Sequence, residues 1–128
     1  MGSPADVMRR FYEVFLARDT EAMRAMLEGC VWHIPGENLL AGTYRGLEEI
    51  VGLFGRSGEL SGGTLKLEMH DVVGDDAHAI GLDHVRASRD DGRSLDMNRV
   101  VIAHVSNGAL AEVWVCPEDQ YAFDEFWS

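Results

Sequence analysis

Positive charge is scarce in this chain: 11 Lys and Arg stand against 22 Asp and Glu, a formal net charge of −11 over 128 residues. An acidic surface repels nucleic acid and anionic membranes, so neither is expected as a partner. The acidity reads as a solvated exterior. Cysteine is nearly absent. Cys30 and Cys116 form no Cys-x-x-Cys pair, which excludes a disulfide framework and a dithiol motif and leaves two reduced thiols as the expectation. No apolar run approaches the roughly 20 residues needed to span a bilayer. Met1-Gly2-Ser3-Pro4-Ala5-Asp6 lacks the basic-then-apolar pattern of a secretory signal. A cytoplasmic location without membrane contact is therefore expected. The five histidines lack zinc-site spacing, so no metal is expected. Ser57 and Ser61 lack a nucleophile-elbow context, and the glycines from Gly58 to Gly63 lack a P-loop lysine. Covalent catalysis and nucleotide binding are set aside on that ground.

Repeats, low-complexity stretches and linkers are also missing, and the chain reads as a single domain, 1–128. Ser3-Pro4 predicts a cap and first helical turn, after which Val7, Met8, Phe11, Val14 and Phe15 recur at helical spacing. Asp19-Thr20 stops that helix and caps a second, Glu21 to Leu27. Cys30 to Ile34 reads as a short strand ended by Pro35-Gly36, and a third helix begins near Leu47 and ends before Gly55. Gly58 to Gly63 reads as a flap. From Thr64 the period becomes alternating: strands Thr64–Val73, His78–Ser88, Arg93–Val105 and Leu110–Val115, with hairpin signals at Asp90-Asp91-Gly92 and Ser106-Asn107-Gly108. Asp119 to Trp127 is a short amphipathic tail. Helices first and hairpins after give an α+β fold, three N-terminal helices packed on a curved, mostly antiparallel sheet that encloses a conical hollow.

Arg18-Asp19, Val-Trp-x-x-Pro-Gly from Val31, Gly-Thr-Tyr-x-Gly from Gly42, Asn-Gly-x-Leu-x-Glu-x-Trp from Asn107 and the aromatic tail carry a resemblance. The chain resembles the SnoaL-like, ketosteroid isomerase-related branch of the NTF2-like superfamily over essentially its whole length. The resemblance implies an NTF2-like cone, a homodimer and no cofactor. It also implies membership in a group that includes isomerases, polyketide cyclases, epoxide hydrolases and proteins without known reactions. Steroid isomerase chemistry is not expected. The positions of that family's carboxylate base, phenol donor and acid donor carry Ile34, Phe11 and Ile102, and Tyr12 lies about 100° round the helix from Phe11.

Strand parity then selects candidates. If Trp32 and Ile34 face the hollow, His33 faces away. Hydrophobicity leaves the inner face of the long strands open: a one-residue slip exchanges His84 for Asp83 and Asn98 for Arg99. The preferred catalytic cluster is His84, Asp96 and Asn98, an imidazole beside a carboxylate acting as general base with an amide to hold a carbonyl or water. An exposed polar sheet face or dimer contact is the plainer alternative. Trp32, Ile34, Tyr44, Phe54, Ile102, Trp114 and Asp119 are the candidate binding residues, with Asp119 alternatively a helix cap. Met8, Met23, Met26 and Met69 read as core, and Trp127 as a core plug. The expected function is acid/base chemistry on a small apolar molecule. A non-catalytic carrier or a dimeric interaction module of the same fold stands as the alternative.

Overall fold

A computed structural model describes residues 2–128, and among them four helices and six strands. Helix α1 (Pro4–Ala17) starts as its sequence dictates. The Ser3 side chain accepts from the Asp6 N–H, the Asp6 side chain accepts from the Ser3 N–H, and Pro4 occupies the first turn. Arg18 closes it in a left-handed conformation, φ 55°. Asp19 then caps α2 (Thr20–Leu27) by accepting from the Ala22 N–H.

Strand β1 (Val31–Ile34) pairs antiparallel with β2 (Gly42–Arg45), which occupies part of what the sequence suggests is a loop. The next element, α3, runs Gly46–Leu60, through Gly52, Gly55 and Gly58, so the expected end before Gly55 and the flap at Gly58 are corrected. Three glycines weaken a helix locally. Ile50 and Leu53, buried against the rest of the core, hold this one together.

Four longer strands follow: β3 (Lys66–Gly74), β4 (His78–Ser88), β5 (Ser94–Ser106) and β6 (Ala109–Pro117). The sheet order is β2-β1-β6-β5-β4-β3, antiparallel throughout except that β1 runs parallel to β6. Bulges between Met69 and Asp71 and between His104 and Val105 add local bend to a sheet that curves without closing. The edge strand β3 is mostly exposed, and Met69 with it, which corrects the expectation of a core methionine. The tail after Pro117 is a fourth helix, α4 (Gln120–Phe126), capped by Asp119, where three helices were expected.

The core lies between the concave face of the sheet and helices α1, α3 and α4. On β4 the inward residues are Ala79, Asp83, Val85 and Ala87; on β5 they are Leu95, Met97, Val101 and Ala103, with Arg99 in the same alternation. Pro35-Gly36 docks directly on α4. A Cβ at Gly36 (φ +93°) would fall 2.1 Å from Asp124 Oδ1, so only glycine lets that turn approach the helix.

Candidate functional site

The concave face and the helices enclose a cavity of about 80 Å³. That volume holds a few waters or a very small guest, below the roughly 300–1,000 Å³ of ordinary ligand pockets. Its wall is apolar and largely aromatic: Phe11, Phe15, Trp32 and Phe54 pack edge to face or tilted, with ring centroids 5.0 to 6.4 Å apart. Phe123 and Trp127, from α4 and its cap, close another side.

Into this wall the fold sets one buried polar cluster. Asp83 on β4 and Arg99 on β5 are direct cross-strand partners and project to the same inner face. The guanidinium grips the carboxylate in a fork, Nε donating to Oδ1 at 2.9 Å and Nη2 to Oδ2 at 3.0 Å. Tyr12 on α1 donates its phenol proton to Asp83 Oδ2 at 2.8 Å. The Asp83 side chain has no exposed surface and that of Arg99 is 16% exposed. Tyr12 and Arg99 reach the cavity wall, with Asp83 behind them. Burial first, then the negative charge of Asp83 and the bond to it, push the Tyr12 pKa far above its ordinary 10.0, with Arg99 opposing. Tyr12 is therefore a phenol, never a phenolate, at neutral pH.

Gly81 makes this arrangement possible. A Cβ there would lie 2.4 Å from the Tyr12 hydroxyl, so β4 admits the phenol only because position 81 has no side chain. Phe11 also lines the cavity, as α1 buries a stripe wide enough to include both Phe11 and its neighbour. That width is why Tyr12, about 100° round the helix, still faces inward.

The candidate residues divide by face. Trp32, Ile34 and Phe54 line the cavity. His84, Asp96 and Asn98 do come together, with His84 Nδ1 2.7 Å from Asn98 Oδ1 and Nε2 2.5 Å from Asp96 Oδ1. They do so on the convex face, away from the cavity; of the two faces the sequence leaves open, the inner one carries Asp83 and Arg99, one residue along each strand. The hydrogen bond to Asn98, then that to Asp96, raise the His84 pKa above its ordinary 6.5. Both ring nitrogens face oxygens, an environment that suits imidazolium.

Ile102 shares that outer face, opposite Ile80 and Trp114 in register. Trp114 stacks on His33 at 5.5 Å and meets the edge of His104 at 5.8 Å, so it lines no cavity either. His33 bonds Glu112 at 2.6 Å and Thr43 at 3.0 Å, facing away from the hollow as parity requires. Tyr44 donates to the Leu40 carbonyl at 2.7 Å and supports the loop beside the cavity without lining it. Asp119 accepts from the Ala122 N–H and caps α4, the alternative role weighed for it. Trp127 is buried, as a core plug should be, and also forms cavity wall.

Asp83 and Arg99 enter the sequence reading only as the one-residue alternative to His84 and Asn98, and Tyr12 is no candidate there. For Asp83 and Arg99 the sequence holds a signal: the set 83, 85, 87 and the set 95, 97, 99, 101, 103 are apolar apart from one acid and one base, which the register then places opposite each other. Burial, then the charge of Glu112, push the Cys30 thiol up to about 12, so Cys30 is no nucleophile at neutral pH. Among the described residues no three His, Cys, Asp or Glu side chains are grouped to hold a metal ion, and no helix is long and apolar enough to cross a membrane.

Comparison with known proteins agrees with this architecture. Bal32a, from a soil-derived mobile gene cassette, is 34% identical, with 98% of this chain and 96% of that one covered and a TM-score of 0.90. An uncharacterized protein of Mycobacterium tuberculosis, Rv0034, is 27% identical over 96% of this chain and 95% of its own. IdmH of Streptomyces antibioticus, a proposed polyketide cyclase, is 20% identical with a TM-score of 0.75, covering 91% and 93% of the two chains, a likeness of fold. The architecture is that of NTF2-like proteins. With the SnoaL-like domain profile matching residues 8–113, the chain belongs to the SnoaL-like family.

Proposed function

We propose that this protein is a small-molecule enzyme performing acid/base chemistry on a compact, largely apolar substrate inside the cavity, centred on Tyr12, Asp83 and Arg99. The observation that carries the reading is the concentration of polarity. Tyr12 and Arg99 stand in a largely apolar wall that also holds Ser57, and Asp83 behind them joins the two in a single buried network. Arg99 keeps Nη1 clear of Asp83. A guanidinium and a phenol held rigidly in a water-poor site favour negative charge developing on a substrate oxygen. Isomerisation, cyclisation and epoxide opening all pass through such an oxygen. Tyr12 turns its O–H from Asp83 Oδ2 to the substrate oxygen and donates a hydrogen bond while keeping its proton, Arg99 steadies the charge through Nη1, and Asp83 orients both. The family relationship supports this reaction group, and it comes to this chain by fold, without a substrate attached.

The test is turnover of a panel of small cyclic ketones, enones and epoxides, followed by chromatography. At least one compound should be consumed by the native protein. Tyr12→Phe and Asp83→Asn should each lower kcat by about 100-fold or more, while His84→Ala and Asp96→Ala stay within about two-fold. Unchanged turnover in both inner variants would end the assignment.

A second reading puts the general base on the convex face at His84, with Asp96 and Asn98, favoured by their two short hydrogen bonds. It predicts the reverse ranking of the four variants. A non-catalytic carrier is favoured by the full occupancy of both Asp83 oxygens, and predicts binding without consumption. A homodimer formed through the convex face, where the Trp114 and His33 rings stack, belongs to the same proposal.

A further inference from the structure

Two histidines on the convex face meet ring to ring, away from the cavity. His78 and His104 are register partners on β4 and β5, both exposed, with Nε2 to Nε2 at 2.7 Å and ring centroids 4.4 Å apart. An imidazole nitrogen either donates or accepts, so the two facing nitrogens share a single proton. The other side of His78 settles which of them carries it. His78 Nδ1 lies 3.2 Å from Asp75 Oδ1, which also accepts from the Ala77 and His78 N–H groups. Those backbone bonds hold the Asp75 carboxyl below its ordinary 3.8, so at neutral pH it is an anion that only accepts. Neutral His78 therefore keeps its proton on Nδ1 and turns the lone pair of Nε2 to His104.

We propose that His78 and His104 are the paired imidazole ligands of a borderline divalent transition-metal ion, of the class of Ni²⁺, Cu²⁺ and Zn²⁺. This site is separate from the cavity and does not rest on the catalytic reading. An ion in place of the shared proton takes the lone pairs of both nitrogens at once. At metal–nitrogen distances of about 2.0–2.1 Å, two ligands at a right angle stand about 2.9 Å apart, within reach of small rotations of the two exposed rings. Asp75 fixes the tautomer and orientation of His78, the part a carboxylate plays behind a ligating histidine. The backbone holds the pair in place: Val105, at the β5 bulge beside His104, donates to the Ala77 carbonyl at 2.9 Å, joining bulge and turn. Glu112, the register partner of His104, spends Oε2 on His33. With two protein ligands and no third grouped with them among the described residues, the remaining coordination positions fall to water. The chain's net charge of −11 favours a cation here, and two imidazoles select against Mg²⁺, which takes oxygen ligands.

The experiment is a calorimetric titration of the intact, untagged protein with Ni²⁺, Zn²⁺ and Mg²⁺ in turn, with tryptophan fluorescence read in parallel. Ni²⁺ should bind saturably at one ion per chain, Zn²⁺ should compete for the same site, and Mg²⁺ should not bind there. Trp114 meets the His104 ring edge to face at 5.8 Å, so bound Ni²⁺ should quench it. Trp114→Phe should remove most of that quenching and leave the calorimetric affinity within about two-fold. His78→Gln and His104→Gln, both at exposed positions that accommodate glutamine, should each weaken Ni²⁺ binding by about ten-fold or more. Asp75→Asn should weaken it by about ten-fold, the scale of a lost partner behind a ligating histidine. His84→Gln, on the same face with its own partners Asp96 and Asn98, should stay within about two-fold of the native protein. No saturable Ni²⁺ binding would reduce the pair to a hydrogen bond between two imidazoles and overturn the proposal. Unchanged affinity in either His78→Gln or His104→Gln, equal binding of Mg²⁺, or a loss of affinity in His84→Gln as large as in those two would overturn it as well.

Discussion

Asp83→Leu should lower the stability of the protein by about 3–5 kcal/mol, read by denaturant melts, a fall in Tm of about 10–20 °C for a chain of this size. The Asp83 carboxylate is wholly buried and receives three donors, two from Arg99 and one from Tyr12. Removing it strands a guanidinium in apolar surroundings, and the uncompensated charge outweighs any gain from the leucine side chain. The same argument predicts partial rescue. Asp83→Leu combined with Arg99→Met removes both charges and should recover more than half of the loss, because apolar replacements for a buried ion pair are often near neutral. A single variant within about 1 kcal/mol of the native protein would contradict the burial on which the site rests. The pair is thus weak as a source of net stability. Its retention in the fold is better explained by what it does at the cavity wall.

Phe126→Ala should cost about 3–5 kcal/mol and open the cavity as well. Phe126 is 1% exposed and meets Trp127 edge to face at 4.7 Å. It anchors α4, which supplies Phe123 and Trp127 to the cavity wall. Phe123 and Trp127 are buried beside it, and the remaining ties of that helix are polar. Asp124 accepts from Asn38 at 2.7 Å and from Gln120 at 2.9 Å, while Arg93 and Arg89 donate to the Phe126 and Ser128 carbonyls. Part-buried and exposed bonds of this kind contribute about 1 kcal/mol each, so the buried rings, Phe126 foremost, are the fastener. Two readouts follow from one substitution: a lower melting temperature, and faster quenching of Trp127 fluorescence by acrylamide. Lower stability with Trp127 still shielded would show that α4 keeps its place without Phe126, and that the cavity opens elsewhere.

The fold was legible because its signals are local and repeated. Ser3-Pro4, Asp19, Pro35-Gly36, Asn107-Gly108 and the alternation after Thr64 each restrict the backbone within a few residues, and together they leave one arrangement of layers. Errors arose where tertiary burial overrode local chemistry, as in α3, whose three glycines suggest an earlier end and a flap. The site was less legible for a reason specific to strands. A period of two makes the choice of face binary, and polar chemistry is concentrated at His84, Asp96 and Asn98, on the face rich in polar residues. The interior face is the other one, identified by Leu95, Met97, Val101 and Ala103, with Arg99 as its exception. A charged residue inside an apolar alternation, matched by an opposite charge at its register partner, marks a site better than a polar cluster does. No spacing rule in the sequence shows that Asp83 and Arg99 are partners; the β4–β5 register does.

The claim that small molecules are received on the concave face is tested most directly by methyl-resolved NMR of the native protein titrated with cyclohexanone, a compact and largely apolar ketone. Val85, Val101 and Leu53 line the cavity, whereas Ile102 lies on the convex face beside Trp114. Saturable shifts at Val85, Val101 and Leu53 with Ile102 unmoved are the expected result. Shifts at Ile102 while the three inner residues stay silent would contradict the account and return the chemistry to His84 and its neighbours.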